Sequence, residues 1–301
     1  MAEREFEVFS GHESFVCRYG WLPKLYEAVV RDPELFADDD EAIVTLGIGK
    51  NMVKSVRFWG QSFGLTKTAA GRTVQPTDFA VKLLDGRKGL DPYLEDVASL
   101  WRLHWMLTVH ASLGAWAAAL LELQDNEITK DNLLEVIRRR AVTARGAATS
   151  GTVAQHVDIF LRTYYSGRSS GSAVAEDSLG CPLQELSLLE IDDAAGVSIV
   201  KFHRGPKPDL DAKALAFAIA DFWKATAINS KTLSMRSLML DRRSPGVVFK
   251  LDEASLHGQL QTLCEEIKGL ALRDDGAGGL DLFASSSRAP HAVLEEFAWQ
   301  H

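Results

Sequence analysis

AIVTLGIGKNMVKSVRFWGQSFGL, residues 42–65, decides how the first part of this chain folds. A short apolar segment (Ala42, Ile43, Leu46) meets the glycine turn Gly47-Ile48-Gly49. A second helix then starts at Lys50. Met52, Val53, Val56, Trp59 and Phe63 recur on it at three- and four-residue steps and make one apolar face. Lys50, Asn51, Lys54 and Arg57 fall mostly elsewhere on the cylinder. This is the pattern of a helix-turn-helix, with one face in the core and cations and an amide offered to a major groove.

Working outward, Gly64-Leu65 ends that helix. Two β-prone runs, 65–68 and 72–75, flank a glycine-containing turn and predict a small hairpin with Lys67 and Arg72 on it. Pro76-Thr77-Asp78 restarts a helix. Helix, turn, helix, hairpin is the order of a winged helix. Residues 41–90 carry eight Lys/Arg against three Asp/Glu, about +5, in a chain whose net charge is −8. A solvated helical hairpin is the plainer alternative. Net acidity excludes indiscriminate coating of nucleic acid but not a basic patch, because phosphate attraction is local.

The expected fold class is mainly α with small β-hairpins. Residues 1–90 form the winged-helix module, 91–205 a helical middle domain, and 206–301 a helical domain with a second winged helix. In the middle, helices are expected over 93–107, 112–123, 130–140 and 151–165, and a strand over 196–203. Ser150 or Thr152 is the expected cap of the fourth helix. The C-terminal part repeats helix, helix, helix, hairpin, with Arg236, Arg242, Arg243 and Lys250 facing phosphate. The acidic hairpin tip (Asp274, Asp275) suits protein docking instead.

Three lone cysteines, Cys17, Cys181 and Cys264, with no paired spacing, fit a reducing compartment and give no zinc site. No apolar leader segment opens the chain, so a cytoplasmic location is expected. Residues 103–121 carry no formal charge, yet His104, His110, Ser112 and Gly114 interrupt them, so buried helices are expected and no membrane span. Gly47-Ile48-Gly49-Lys50 is not a phosphate-binding P-loop, because Asn51 stands where the hydroxyl residue belongs.

Several residues invite chemistry. His12 and Glu13 pair a base with an orienter, although Ser10-x-x-Glu13 also reads as a helix capping box. Arg138, Arg139, Arg140 and Arg145 precede a small-residue loop that lets backbone approach phosphate. Asp158 and Arg162, four apart, make a salt bridge or, with His156, parts of a strand-cutting site. Tyr164 or Tyr165 is a conceivable covalent nucleophile. Asp177, and Asp91 with Glu95 on one helical face, are candidates for a divalent metal, Mg2+ or Mn2+. None is a specific nuclease signature.

Four stretches occur here in order: FSGHESFVCRYGWLPKLYEAV (9–29), AIVTLGIGKNMVKSVRFW (42–59), GLDPYLED (89–96) and EDSLGCPLQELSLL (176–189). In this combination the chain resembles a bacterial domain-of-unknown-function family of DNA phosphorothioation operons. The resemblance spans most of the chain. It implies DNA nicking that opens a strand for sulfur insertion, coupled to phage defence. It also implies partners: a cysteine desulfurase, an ATPase and an ATP pyrophosphatase-like protein. It fixes no catalytic residue. Two rival functions remain at this level, a non-enzymatic DNA-binding adaptor and a protein-docking scaffold. Oligomeric state is not legible.

Overall fold

The computed structural model describes residues 7–69, 73–142, 148–165, 180–194 and 196–300. The chain forms two compact units, one of residues 1–119 and 123–202, the other of residues 120–122 and 203–301.

The first unit opens with α1 (Trp21–Arg31), α2 (Asp39–Leu46) and α3 (Lys50–Ser62). Asp38 caps α2 by accepting from the backbone of Asp40 and Glu41, and three acids fill its positive first turn. Gly47 ends it at φ 60, a conformation that favours glycine. Along α3, Val53, Val56 and Trp59 are buried, and Phe63 just beyond its end is buried too. At Gly60 a Cβ would come within 2.2 Å of Leu25, so glycine lets α3 lie close against α1. Strands β1 (Thr66–Thr68) and β2 (Val74–Pro76) pair antiparallel with Lys67 opposite Gln75. Thr77 then caps α4 (Asp78–Leu84). The order expected from 42–84 is thus present; Arg72 lies outside the described residues.

Downstream, α5 (Val97–His110) begins four residues later than the sequence suggests. Asp96 is its cap, and Asp91 instead accepts the N–H groups of Glu95 and Asp96, each at 3.0 Å, in the preceding loop. Asp91 and Glu95 therefore share no helical face. Ser112 (φ 52) breaks the uncharged run, and α6 (Gly114–Trp116) passes into a π-helical segment, Ala117–Glu122. Then come β3 (Glu127–Thr129), α7 (Lys130–Val142), α8 (Ser150–Tyr164), β4 (Leu189–Ala194) and β5 (Val197–Phe202). Thr149, not Ser150 or Thr152, caps α8. The core of this unit is aromatic, with Trp59, Trp101, Trp105, Trp116, Phe160 and Tyr164 all fully buried.

The second unit holds α9 (Ala212–Thr226), β6 (Thr232–Ser234), α10 (Met235–Leu240), α11 (Pro245–Val248), α12 (Glu253–Glu266), β7 (Leu270–Asp274), β8 (Leu280–Ala284) and α13 (Pro290–Ala298). Helix α13 packs on α9, with Phe217 and Trp299 edge to face at 5.7 Å.

The middle segment is not purely helical. Its strands form a sheet in the order β3-β5-β4, and the second unit repeats this as β6-β8-β7. In each, a three-residue strand runs directly into a helix that its own last hydroxyl caps, Thr129 for α7 and Ser234 for α10. Ile128 pairs with Val200 where Leu233 pairs with Leu282. Strands as short as β3 and β6 carry too little periodicity to be read; their pairing partners create them.

Candidate nucleic-acid interface

Helix α3 is built to show one face. While its apolar positions are buried, Lys50, Asn51 and Lys54 are exposed and Arg57 is half-buried. Lys50 pairs with Asp39 at 3.2 Å, both ends well exposed, so solvent weakens the attraction and a phosphate can compete for the lysine. The Arg57 guanidinium sits 5.4 Å from the centre of the Phe36 ring, which holds it along the helix. Lys67 is exposed on β1.

The other basic cluster is mostly engaged within the protein. Arg140 donates to Glu7 through Nε at 2.8 Å, and both side chains are largely buried, so this arginine ties α7 to the N-terminal segment. Arg139 and Arg138 share Glu135, and those two hydrogen bonds hold the Glu135 carboxyl below its usual range. Arg145 lies outside the described residues. In the second unit Arg242 pairs with Glu122. Lys250, expected at the surface, is buried and donates to the Leu120 carbonyl at 3.0 Å. Burial pushes its amine down to about 7.

Residues 10–14 start no helix, so the capping-box reading fails; Glu13 and Ser14 adopt left-handed backbone in a turn closed by Phe15 N–H to His12 C=O. The turn buries His12 against His156. The rings stack at 5.4 Å with His12 Nε2 3.2 Å from His156 Nδ1. The backbone N–H of Ala115 donates to His156 Nε2 at 3.2 Å. That acceptor role puts the His156 proton on Nδ1, whence it bonds His12 Nε2. Both rings are therefore neutral. Burial lowers His12 to about 4 and His156 to about 3.

Helix geometry separates His156 from Asp158, because two residues turn the side chain to the opposite side. Asp158 is half-exposed and pairs with Arg162 at 3.6 Å. Gln155 donates to the Ser14 hydroxyl, which brings the turn carrying exposed Glu13 against the same outer stripe of α8. The Ser14–Gln155 contact lies on the stripe of α8 that carries the Asp158–Arg162 pair, and both histidines are buried. Asp177 lies outside the described residues. Among the described residues no three His, Cys, Asp or Glu side chains come together as metal ligands.

Tyr164 is not placed as a nucleophile. It is fully buried, its hydroxyl accepts from Trp116 Nε1 at 3.0 Å and meets His104 Nδ1 at 2.8 Å, and burial pushes its pKa up. This network was invisible in the sequence; its trace in the uncharged run is His104 and Trp116. Tyr164→Phe strands the buried Trp116 Nε1, while His104 Nδ1 keeps Thr108 Oγ1 at 3.4 Å, and is expected to cost roughly 1–3 kcal/mol of stability, measured by urea unfolding. A variant within about 0.5 kcal/mol of the parent refutes the network's importance.

Residues 9–297 match the family described as "Protein of unknown function (DUF4007)". A magnesium ion-bound SspB crystal structure is 31% identical with a TM-score of 0.86, covering 98% of this chain and 87% of that one. A second SspB crystal structure is 30% identical with a TM-score of 0.84 at the same coverage. No curated protein matches the chain. Among the described residues, no helix is long and apolar enough to cross a membrane.

Proposed function

The chain belongs to the DUF4007 family, and from that premise we propose that it binds duplex DNA and nicks one strand as a step in phosphorothioate modification. The observation that carries the reading is α3: an inner face with Val53, Val56 and Trp59 buried and an outer face of Lys50, Asn51, Lys54 and Arg57. Within the first unit, residues 1–90 act as a winged-helix module. The outer face of α3 enters a groove, and Lys67 with Arg72 rests on backbone phosphate. The likeness to SspB supports a role in phosphorothioate modification. Residues 206–301, with the sheet β6-β8-β7, are read as a second winged-helix-like domain, and 91–205 as the middle domain.

Nicking is assigned to the surface formed by the His12–Ser14 turn and α8. Strand cleavage needs a base for the attacking oxygen and a cation for the charge that develops on phosphate. Asp158 or Glu13 supplies the first and Arg162 the second. The neutral His12–His156 pair positions the turn from below. The relative in crystal form holds magnesium, and a divalent ion of that kind would add charge neutralisation at the phosphate. Sulfur insertion follows through a cysteine desulfurase, an ATPase and an ATP pyrophosphatase-like protein, in the cytoplasm.

Purified protein incubated with supercoiled plasmid and Mg2+ or Mn2+, then stripped, is expected to yield open circles. Asp158→Ala is expected to slow this by about 100-fold or more. A second reading, a DNA-binding adaptor without nuclease activity, draws on the ion pair that occupies Asp158 and the burial of both histidines. Intact supercoils together with a mobility shift in unstripped samples decide for the adaptor.

A further inference from the structure

A cavity of about 220 Å³ opens in the first unit beside the glycine turn that launches α3. Tyr19, Trp21, Leu46, Ile48 and Val56 line it, and Lys24 stands at its edge. The walls are thus aromatic and aliphatic, with one cation. Drug-sized ligands occupy roughly 300–1,000 Å³, so this cavity fits a single planar ring system. Gly20 borders it with open space where a side chain would begin. The Lys24 ammonium lies 3.7 Å from where a Cβ on Gly47 would stand, so it sits over the turn. Lys24 makes no ion pair among the described residues. The Arg18 guanidinium lies 5.8 Å from the Trp21 ring centre and adds a second cation nearby.

A slot for one ring, part aromatic and aliphatic and part polar, with cations beside it, matches one chemical unit: a nucleobase and its phosphate. Free nucleotide and DNA both offer it. Position favours DNA, because Ile48 in the slot is two residues from Lys50, where the groove-facing stripe of α3 begins. We propose that this cavity takes a nucleobase turned out of the duplex, stacked against Tyr19 with its phosphate on Lys24. This rests on the reading of α3 as the groove element and adds that the protein reads an unpaired nucleotide at the end of that helix. Base stacking on aromatic side chains is sequence-tolerant, so the slot senses extrusion, and the groove face carries base-pair readout.

The test compares a fully paired duplex with one carrying a single-nucleotide 2-aminopurine bulge, for the parent protein and for Ile48→Trp, which fills the slot. Neither Ile48 nor Lys24 belongs to the groove-facing set. The parent is expected to bind the bulged duplex about tenfold more tightly and to quench 2-aminopurine fluorescence. Ile48→Trp is expected to erase preference and quenching while keeping affinity for the paired duplex. Lys24→Ala weakens the bulge complex alone. Equal affinity of the parent for both duplexes, or a preference that survives Ile48→Trp, overturns the slot and leaves the α3 reading intact. Absence of binding to either duplex overturns the α3 reading. Calorimetry with dAMP then separates the remaining cases: heat with the parent protein makes the ligand a free nucleotide, no heat leaves the cavity without a nucleotide role, and both overturn the extruded base.

Discussion

Lys54→Glu with Arg57→Glu is expected to lower affinity for duplex DNA by at least about 100-fold and to flatten its salt dependence. Each phosphate contact contributes close to one unit of slope in log K against log salt, so losing two lowers the slope by about 2. Two new negative charges on the groove face add repulsion. The fold is expected to survive, because Lys54 is exposed and Arg57 gives up only its contact with the Phe36 ring, roughly 0.5–1 kcal/mol. Fluorescence anisotropy across a salt series gives both quantities, and thermal unfolding confirms the fold. Parental affinity and slope in the double variant remove α3 from the interface. Lys50→Ala is a milder change, since Lys50 already shares its charge with Asp39.

Acidification is expected to unfold the first unit through its histidine pair. In the unfolded chain both histidines titrate near 6.5; in the folded chain burial holds them near 4 and 3. Between those values the unfolded state binds more protons, so stability present above pH 6.5 is lost as pH falls towards 4. With two groups contributing, the loss approaches ~2.7 kcal/mol per pH unit, the limit for two protons. Other groups facing the pair do not counter this: Phe9, Phe58 and Trp116 surround the rings, and the backbone N–H of Ala115 occupies His156 Nε2. Urea unfolding at pH 7, 6 and 5 reads the slope. His156→Gln keeps an acceptor for Ala115 N–H and is expected to cut the slope by about half. A slope unaffected by that change assigns acid sensitivity to other groups.

Much of the local structure was written in neighbouring residues. The glycine turn at 47–49, the apolar stripe of α3 and the threonine before Asp78 each act over a turn or less, and the structure realises all three. The exposed lysines of α3 were legible for the same reason, since a helix with one buried stripe must turn its remaining positions outward. The engagement of Arg140 was not legible, because charge in a sequence does not name its partner. Glu7, which engages Arg140, is 133 positions away. Ser10-x-x-Glu13 misled because the chain there is drawn into a turn by burial of His12, and a distant contact overrides a local cap.

By itself, then, the sequence determined most of the helices, the hairpins flanked by strong turn signals and the polarity of α3, all interactions within a few residues. Only the tertiary structure decided that His12 meets His156, that Asp158 faces away from both, that Lys250 is buried, and that β3 and β6 are strands at all. Those outcomes depend on which surfaces the core brings together. Burial sets the protonation of the histidines and Lys250, and backbone pairing supplies the partners that three-residue strands lack on their own.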